Sequence, residues 1–375
     1  MSIEAFRAQM PVAERWVYFD HAAVGPISGP AFDAIARWNE DAAKNGASNW
    51  SDWSRLVEET RILSAQMIGA DQAEIALVKN TTEGISLVAE GLPWRLGDNV
   101  VTLANEFPSN QYPWMNLADR GVEVRRVPVD PGRVDLDQVA RACDDRTRVL
   151  TVSWVGFASG WRSDIDRLTE IAHDRGELFF LDAIQGLGVF EIDVSRTPVD
   201  FLAADGHKWL LGPEGAGIFY IRRENLEKLR PIGVGWHSVV GSHDFDRIAL
   251  SFKSSATRFE GGTLNMAGFI GLGASLRLIT SFRQKEIAGR VLDLANLATE
   301  RLKSIGAVVV RSDNREHQSG IVSFEMPGRD PAEIRTHCLQ EFVLLSCRGG
   351  RLRASIHGYN DSSDVDRLID SLTTA

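Results

Sequence analysis

The chain has 375 residues, enough for two domains at roughly 150 residues each. Hydrophobic residues make up 44% and charged residues 25%, the mixture of a globular protein that buries a real core. Its 41 basic and 51 acidic residues leave a net charge of −10 with no basic run, which excludes a general nucleic-acid or anionic-membrane surface.

No stretch approaches the ~20 apolar residues that span a bilayer. The opening Met1-Ser-Ile-Glu-Ala-Phe-Arg7 lacks the basic-then-apolar pattern of a secretory signal, so a cytoplasmic protein is expected. The three cysteines, Cys143, Cys338 and Cys347, have no paired spacing, so neither a disulfide framework nor a metal site is expected.

Residues 1–20 read as a short helix and an extended piece, followed by the small-residue turn His21-Ala-Ala23-Val-Gly25-Pro26. Helical patterns cover 30–44 and 53–68, with Trp50 and Trp53 expected to pack. A strand at 74–79 turns through Asn80-Thr81-Thr82-Glu83-Gly84 into a helix, and such a helix start can bind phosphate or simply be capped by threonine. Strands at 99–104, 122–128 and 148–155 alternate with helices at 135–143 and 164–175, the pattern of a doubly wound sheet.

The apolar run 179–182 ends on Asp182, with Gln185 one turn on, and the run 199–204 leads into Asp205-Gly-His207-Lys208 and a glycine-rich turn. Open α/β sheets hold ligands at such strand ends. A strand-end lysine beside a strand-end aspartate is what pyridoxal 5'-phosphate requires: an amine for the Schiff base and a carboxylate for the ring nitrogen. Residues 215–221 read as an antiparallel edge strand, and 231–262 as a long Gly-, Ser- and charge-rich connection. Gly186-Leu-Gly188 and Gly271-Leu-Gly273 lack the strand-then-helix context of a dinucleotide site. From residue 265 two helices, strands at 307–311, 320–325, 343–347 and 351–357, a helix at 331–341 and a closing helix read as a separate domain.

Asp182-Ala-Ile-Gln185, Gly206-His207-Lys208, Arg258-Phe-Glu-Gly-Gly-Thr263, Tyr18-Phe-Asp-His21 and Arg353-Ala-Ser stand in an order that resembles fold-type I pyridoxal-phosphate enzymes of the aminotransferase class V group. That group contains cysteine desulfurases and isopenicillin N epimerase. The resemblance implies a large, mostly parallel sheet domain over 21–265 and a smaller α/β domain over 266–375, joined by the segment 1–20. It implies Lys208, Asp182 and His207 as the catalytic set. Thr81, Thr82, Phe107, Gln185 and Thr263 would join them in holding the cofactor, Thr82 and Thr263 at the phosphate. Thr263 either reaches the neighbouring subunit of a homodimer with a shared site or merely ends a turn. Arg353 would grip the carboxylate of an amino-acid substrate with paired hydrogen bonds. His21 and Ala23 would lie at the substrate mouth.

Three departures mark the chain off. Desulfurases place a histidine where this sequence has Phe107, and Phe107 cannot exchange protons. Phe157 stands where many relatives have an asparagine. Only six residues separate Ser346 from Arg353, too few for the mobile loop that carries a desulfurase cysteine, so Cys347 reads as a strand-end residue. Arg348 and Arg351 read as solvated. On the sequence, transamination or epimerisation is favoured over cysteine desulfuration or β-elimination, with a non-catalytic binding protein as the remaining reading.

Overall fold

The computed structural model describes residues 3–130 and 133–375. Its strands, in chain order, are β1 (Val17–Tyr18), β2 (Ile75–Val78), β3 (Asn99–Leu103), β4 (Glu123–Val127), β5 (Thr147–Ser153), β6 (Leu178–Asp182), β7 (Phe201–Asp205) and β8 (Gly217–Ile221). β9 (Val308–Val310), β10 (Ile321–Glu325), β11 (Val343–Leu344), β12 (Ser346–Arg348) and β13 (Arg351–Ser355) follow.

β2 to β8 form one seven-stranded sheet in the order β2-β8-β7-β6-β5-β3-β4. All pairs are parallel except the two made by β8. The edge position expected for residues 215–221 is therefore corrected: β8 is antiparallel but interior, because β2 pairs outside it. Its unbroken apolar run, Gly-Ile-Phe-Tyr-Ile, is buried at every position, as a covered strand must be.

Successive residues of each strand go to opposite faces. In β6, Phe179 and Leu181 enter the core on one face, which also holds Leu202 and Ala204 of β7. Phe180 joins Phe201 and Ala203 on the other. Helices Gly29–Asn45, Trp50–Ile68 and Met266–Thr280 pack together against the first of these cores. Trp53 is buried there and meets Trp38 edge-on, with its indole nitrogen donating to Asp41 at 2.7 Å, so the expected packing role fits.

A four-stranded antiparallel sheet, β12-β13-β10-β9, covers a third core, which takes in Val17 and Phe19 from the N-terminal segment. The single strand expected over 343–347 is in fact two. β11 pairs in parallel with β1, and β12 pairs with β13 in the other sheet, the chain changing partners at Leu345. No helix among the described residues is long and apolar enough to cross a membrane.

Candidate active site

The parallel strands bring their carboxyl ends to one side. Ser153, Asp182 and Ala203 stand abreast in register, and Lys208 follows β7 by three residues. Asp182 and Lys208 are both buried and line one cavity of about 570 Å3. Ala23, Thr81, Thr82, Phe107, Gln185 and His207 line it from the large sheet's side, and Arg348 and Arg353 from β12 and β13. Both sheets thus contribute to the wall of the cavity.

Burial lowers Lys208 to about 8, Asp182 partly opposing this and Arg353 adding to it. Burial likewise raises Asp182 to about 6, against the pull of the Ile184 amide and of Lys208. Lys208 Nζ stands over the Phe107 ring, 5.5 Å from its centroid. Among the described residues no carboxylate forms an ion pair with it. The amine therefore loses its proton more readily than an ordinary lysine and lines the cavity, the condition a carbonyl-condensing lysine needs.

Thr81 and Thr82 begin the helix Thr81–Gly91, which Asn80 caps through the Glu83 amide. The first amides of any helix lack a carbonyl partner. Thr81 Oγ1 is also buried with no partner, whereas Thr82 Oγ1 is taken by Ser109 at 2.8 Å. The hydroxyl left for an anion is thus that of Thr81, the reverse of the expected emphasis on Thr82. An orphaned hydroxyl at a helix start, a carboxylate, an aromatic face and a lysine around one cavity fit pyridoxal phosphate.

Gln185 spends its amide on scaffold contacts, donating to the Ala22 carbonyl at 2.9 Å and accepting from the Trp209 indole at 2.7 Å. One amide hydrogen remains for a ligand. Gly25 lies so close to the Lys208 carbonyl that a Cβ would meet it at 2.2 Å, and this lets the Ala22–Ala23 turn reach the cavity. His207 Nδ1 approaches Asp205 Oδ2 at 3.1 Å outside hydrogen-bond alignment, so its ring is free to meet a ligand.

Arg353 is fully buried. Its Nε donates to Ser346 at 3.1 Å, Nη1 to the Phe157 carbonyl at 2.6 Å and Nη2 to Asp20 at 3.4 Å. Each terminal nitrogen keeps one free hydrogen, the pair that a carboxylate accepts.

His21 is not at the cavity. It is fully buried, with Nδ1 against the Ser355 carbonyl and Nε2 against the Tyr359 hydroxyl, both at 2.8 Å. Burial holds its proton affinity well below the ordinary histidine value. The expected substrate contact is therefore replaced by a structural one. Thr263 is exposed and does not line its own chain's cavity.

Two residues escaped the sequence reading. Glu106 is buried behind Phe107, where its carboxyl accepts from the Ser153 amide at 2.7 Å and from the Ser153 hydroxyl, and burial raises it to about 7. It ties the turn that carries Phe107 to β5. Arg348 is exposed, as expected, and also lines the cavity. The Gly349-Gly350 pair, both at positive φ, was the available signal. A two-residue turn places Ser346 opposite Arg353 and hence Ser346 and Arg348 on one face. The same parity turns Cys347 the other way, where Sγ donates to the Pro331 carbonyl at 3.3 Å and burial raises its pKa. Arg351 ion-pairs with Glu325 at 2.7 Å.

The sequence model of the aminotransferase class-V family matches residues 17–368. A probable cysteine desulfurase of Methanothermobacter thermautotrophicus is 34% identical over 394 residues, covering 99% of this chain and 98% of its own length. The apo structure of a cysteine desulfurase from Thermococcus onnurineus superposes with a TM-score of 0.89 at 28% identity, covering 98% of this chain and 96% of that one. A solved enzyme with glycine covalently linked to its pyridoxal phosphate shares the fold, with a TM-score of 0.92 at 23% identity and 98% coverage of both chains.

Proposed function

Because the chain belongs to the aminotransferase class-V family, whose cofactor is pyridoxal 5'-phosphate, we propose that it acts on a small α-amino acid and expels a substituent from Cβ. The observation that carries this is the convergence on one cavity of Lys208, Asp182 and an arginine with two free hydrogens. The cofactor, when bound, supplies an electron sink for charge developing at the substrate's α-carbon.

The chain's own residues do the rest. Arg353 binds and orients the α-carboxylate. Lys208, an amine with its proton affinity lowered by burial, takes and returns the proton at Cα. Asp182 holds a proton at the ring nitrogen. The Thr81 hydroxyl and the helix start would receive the phosphate, and Phe107 would offer its ring to the cofactor's face.

The names of the relatives favour loss of a β-substituent over the transamination or epimerisation that the sequence alone favours, and all three use Lys208 in the same way. Cys347 takes no part, since its thiol faces the small-sheet core and not the cavity. The sulfur-carrying role of a desulfurase cysteine is therefore not included.

A cytoplasmic homodimer completes the reading. Phe245, Ile248 and Leu250 are exposed, Ile248 at 93%, in the long connection before Thr263, and a second copy would cover such a patch. All three cysteines are free thiols, as in a reducing compartment.

The test is to load the purified protein with pyridoxal phosphate, follow its absorbance through an amino-acid panel, and identify products. Deaminated product with release of the β-substituent supports elimination. Amine retained on the cofactor points to transamination, and a D-amino acid to epimerisation. A protein whose bound cofactor ignores every amino acid is a binding protein and not this enzyme.

A further inference from the structure

Asp205 ends β7, is buried and lines the same cavity as Lys208 and Thr81, yet the chemistry described above does not use it. Among the described residues its Oδ1 has no hydrogen-bond partner. Its Oδ2 lies 3.1 Å from His207 Nδ1, which is buried and also without a hydrogen bond. A neutral histidine keeps one ring nitrogen as an acceptor, so this pair has room for one more proton.

Asp205 shares a face of β7 with Ala203, because strand residues alternate. A Cβ on Gly84 would stand 2.7 Å from the Ala203 side chain, so the helix Thr81–Gly91 packs on that face. Thr81, about one turn before Gly84, carries the other unpartnered oxygen at this end of the cavity. The Asp205 carboxylate therefore stands beside the helix start, where a phosphate would be received.

The other charges around the cavity do not neutralise it. Lys79 and Glu214 are exposed, and Lys79 lies 3.8 Å from Glu83. Asp182, from the next strand, adds a second negative charge. Lys208 attracts Asp205 without an ion pair, and it is the amine that the cofactor's aldehyde takes. Arg353 is committed to Ser346, Phe157 and Asp20, and Arg348 is exposed on the β12–β13 hairpin. Two anions brought together in a desolvated site disfavour each other's charge.

We propose that phosphate enters this subsite together with one proton, taken up by the Asp205–His207 pair, so that Asp205 makes cofactor binding pH-dependent. A carboxylate, a neutral imidazole, a phosphate dianion and one proton from solvent give a complex with one added hydrogen bond among them. No bond to phosphorus forms or breaks, and nothing is oxidised. Binding that consumes a proton weakens as pH rises, by about tenfold per pH unit for one proton. This inference rests on the phosphate placement given above and adds a condition to it.

The test uses the full-length apoprotein and pyridoxine 5'-phosphate, which lacks the aldehyde and so forms no bond to Lys208. Calorimetric titrations at pH 8, in buffers of different ionisation enthalpy, count the protons taken up. At that pH free carboxylates and phosphate monoesters are already ionised, with pKa values near 3.9 and about 6. Wild type is expected to take up about one proton more per bound ligand than Asp205→Asn, and its affinity to fall about tenfold more steeply per pH unit. Asp205→Asn should bind the probe more tightly than wild type at pH 8, and Asp205→Glu should keep the uptake. The ring nitrogen and Lys208 are common to all these proteins, so the difference isolates Asp205.

Equal proton uptake by wild type and Asp205→Asn overturns the proposal while leaving the phosphate placement intact. Weaker binding by the variant at every pH also overturns it, because Asp205 then supports the phosphate as an ordinary partner. If Asp205→Asn does not fold, Asp205→Ser makes the same comparison with a smaller neutral group. No binding of the probe by wild type overturns both the proposal and the phosphate placement.

Discussion

A buried ion pair, Arg61 with Glu260, and two buried charges that share a cavity without pairing, Asp182 and Lys208, are built in contrasting ways. Arg61 and Glu260 clamp helix Trp50–Ile68 to the turn after Ala256–Phe259, and every polar group is used. Arg61 reaches both Glu260 oxygens, the Ile75 carbonyl at 2.9 Å and Glu58 at 3.0 Å, while Glu260 also accepts from the Leu77 amide at 2.8 Å. Burial works against the charge on Arg61, but Glu260 and Glu58 outweigh it and hold its pKa above the ordinary value. Asp182 and Lys208 are as deeply buried but poorly served. Asp182 accepts one backbone amide, from Ile184 at 3.1 Å, and both groups drift towards neutrality. A buried pair with all its hydrogen bonds made is structural, and one left short of partners is poised to react with a ligand.

The contrast breaks most sharply at Lys208. Lys208→Ala should abolish the bound-cofactor absorbance that borohydride fixes to the protein, and lower turnover by at least about a thousandfold. Thermal stability should hold, because the variant removes a desolvated amine that nothing pairs. A large fall in melting temperature with the covalent absorbance intact would make Lys208 structural.

Arg61→Ala should do the opposite. Leaving Glu260 buried and unpaired costs about 3–5 kcal/mol of folding stability, measurable by urea denaturation. Turnover per folded molecule should stay within about twofold, since Arg61 does not line the cavity.

Lys208 also supplies a pH test. An amine with a pKa of about 8 is protonated below that pH and neutral above it, and only the neutral form condenses with an aldehyde. The rate at which apoprotein takes up pyridoxal phosphate should rise about tenfold per pH unit towards 8 and level off above it. A rise that continues unbroken to pH 10 would show an ordinary exposed lysine.

The smallest effect is expected at Cys347. Cys347→Ser should leave turnover unchanged, and mass spectrometry after incubation with cysteine should find no persulfide on it. A persulfide lost in the serine variant would restore the sulfur-carrying role and show that β12 rearranges.

How far the site could be read from the sequence follows from what fixes each residue. Asp182 ends a strand, Thr81 begins a helix and Lys208 stands three residues past a strand, and an apolar run followed closely by a charge, or a threonine pair before a helix, is a local pattern. Phe107 and Gln185 were legible through the family order alone. Arg348 is solvated as read, but that it also lines the cavity was not legible, because the direction of a side chain on a three-residue strand depends on its pairing register, and a shift of one residue would exchange it with Cys347.

The motif at Arg258–Thr263 shows the same limit from the other side. Its sequence suggested a phosphate contact through Thr263, but within one chain its buried work is done by Glu260 on Arg61, almost 200 residues earlier. His21, expected at the substrate mouth, is held instead by Ser355 and Tyr359 from the far end of the chain. The sequence by itself determined the alternation of strands and helices, the strand-end aspartate and the lysine just past the next strand, and with them the cofactor. Tertiary structure alone decided that β8 lies inside the sheet, which arginines face the cavity, and which buried charges are satisfied. Those depend on contacts between residues distant in the chain, and a local pattern carries no record of its eventual partner.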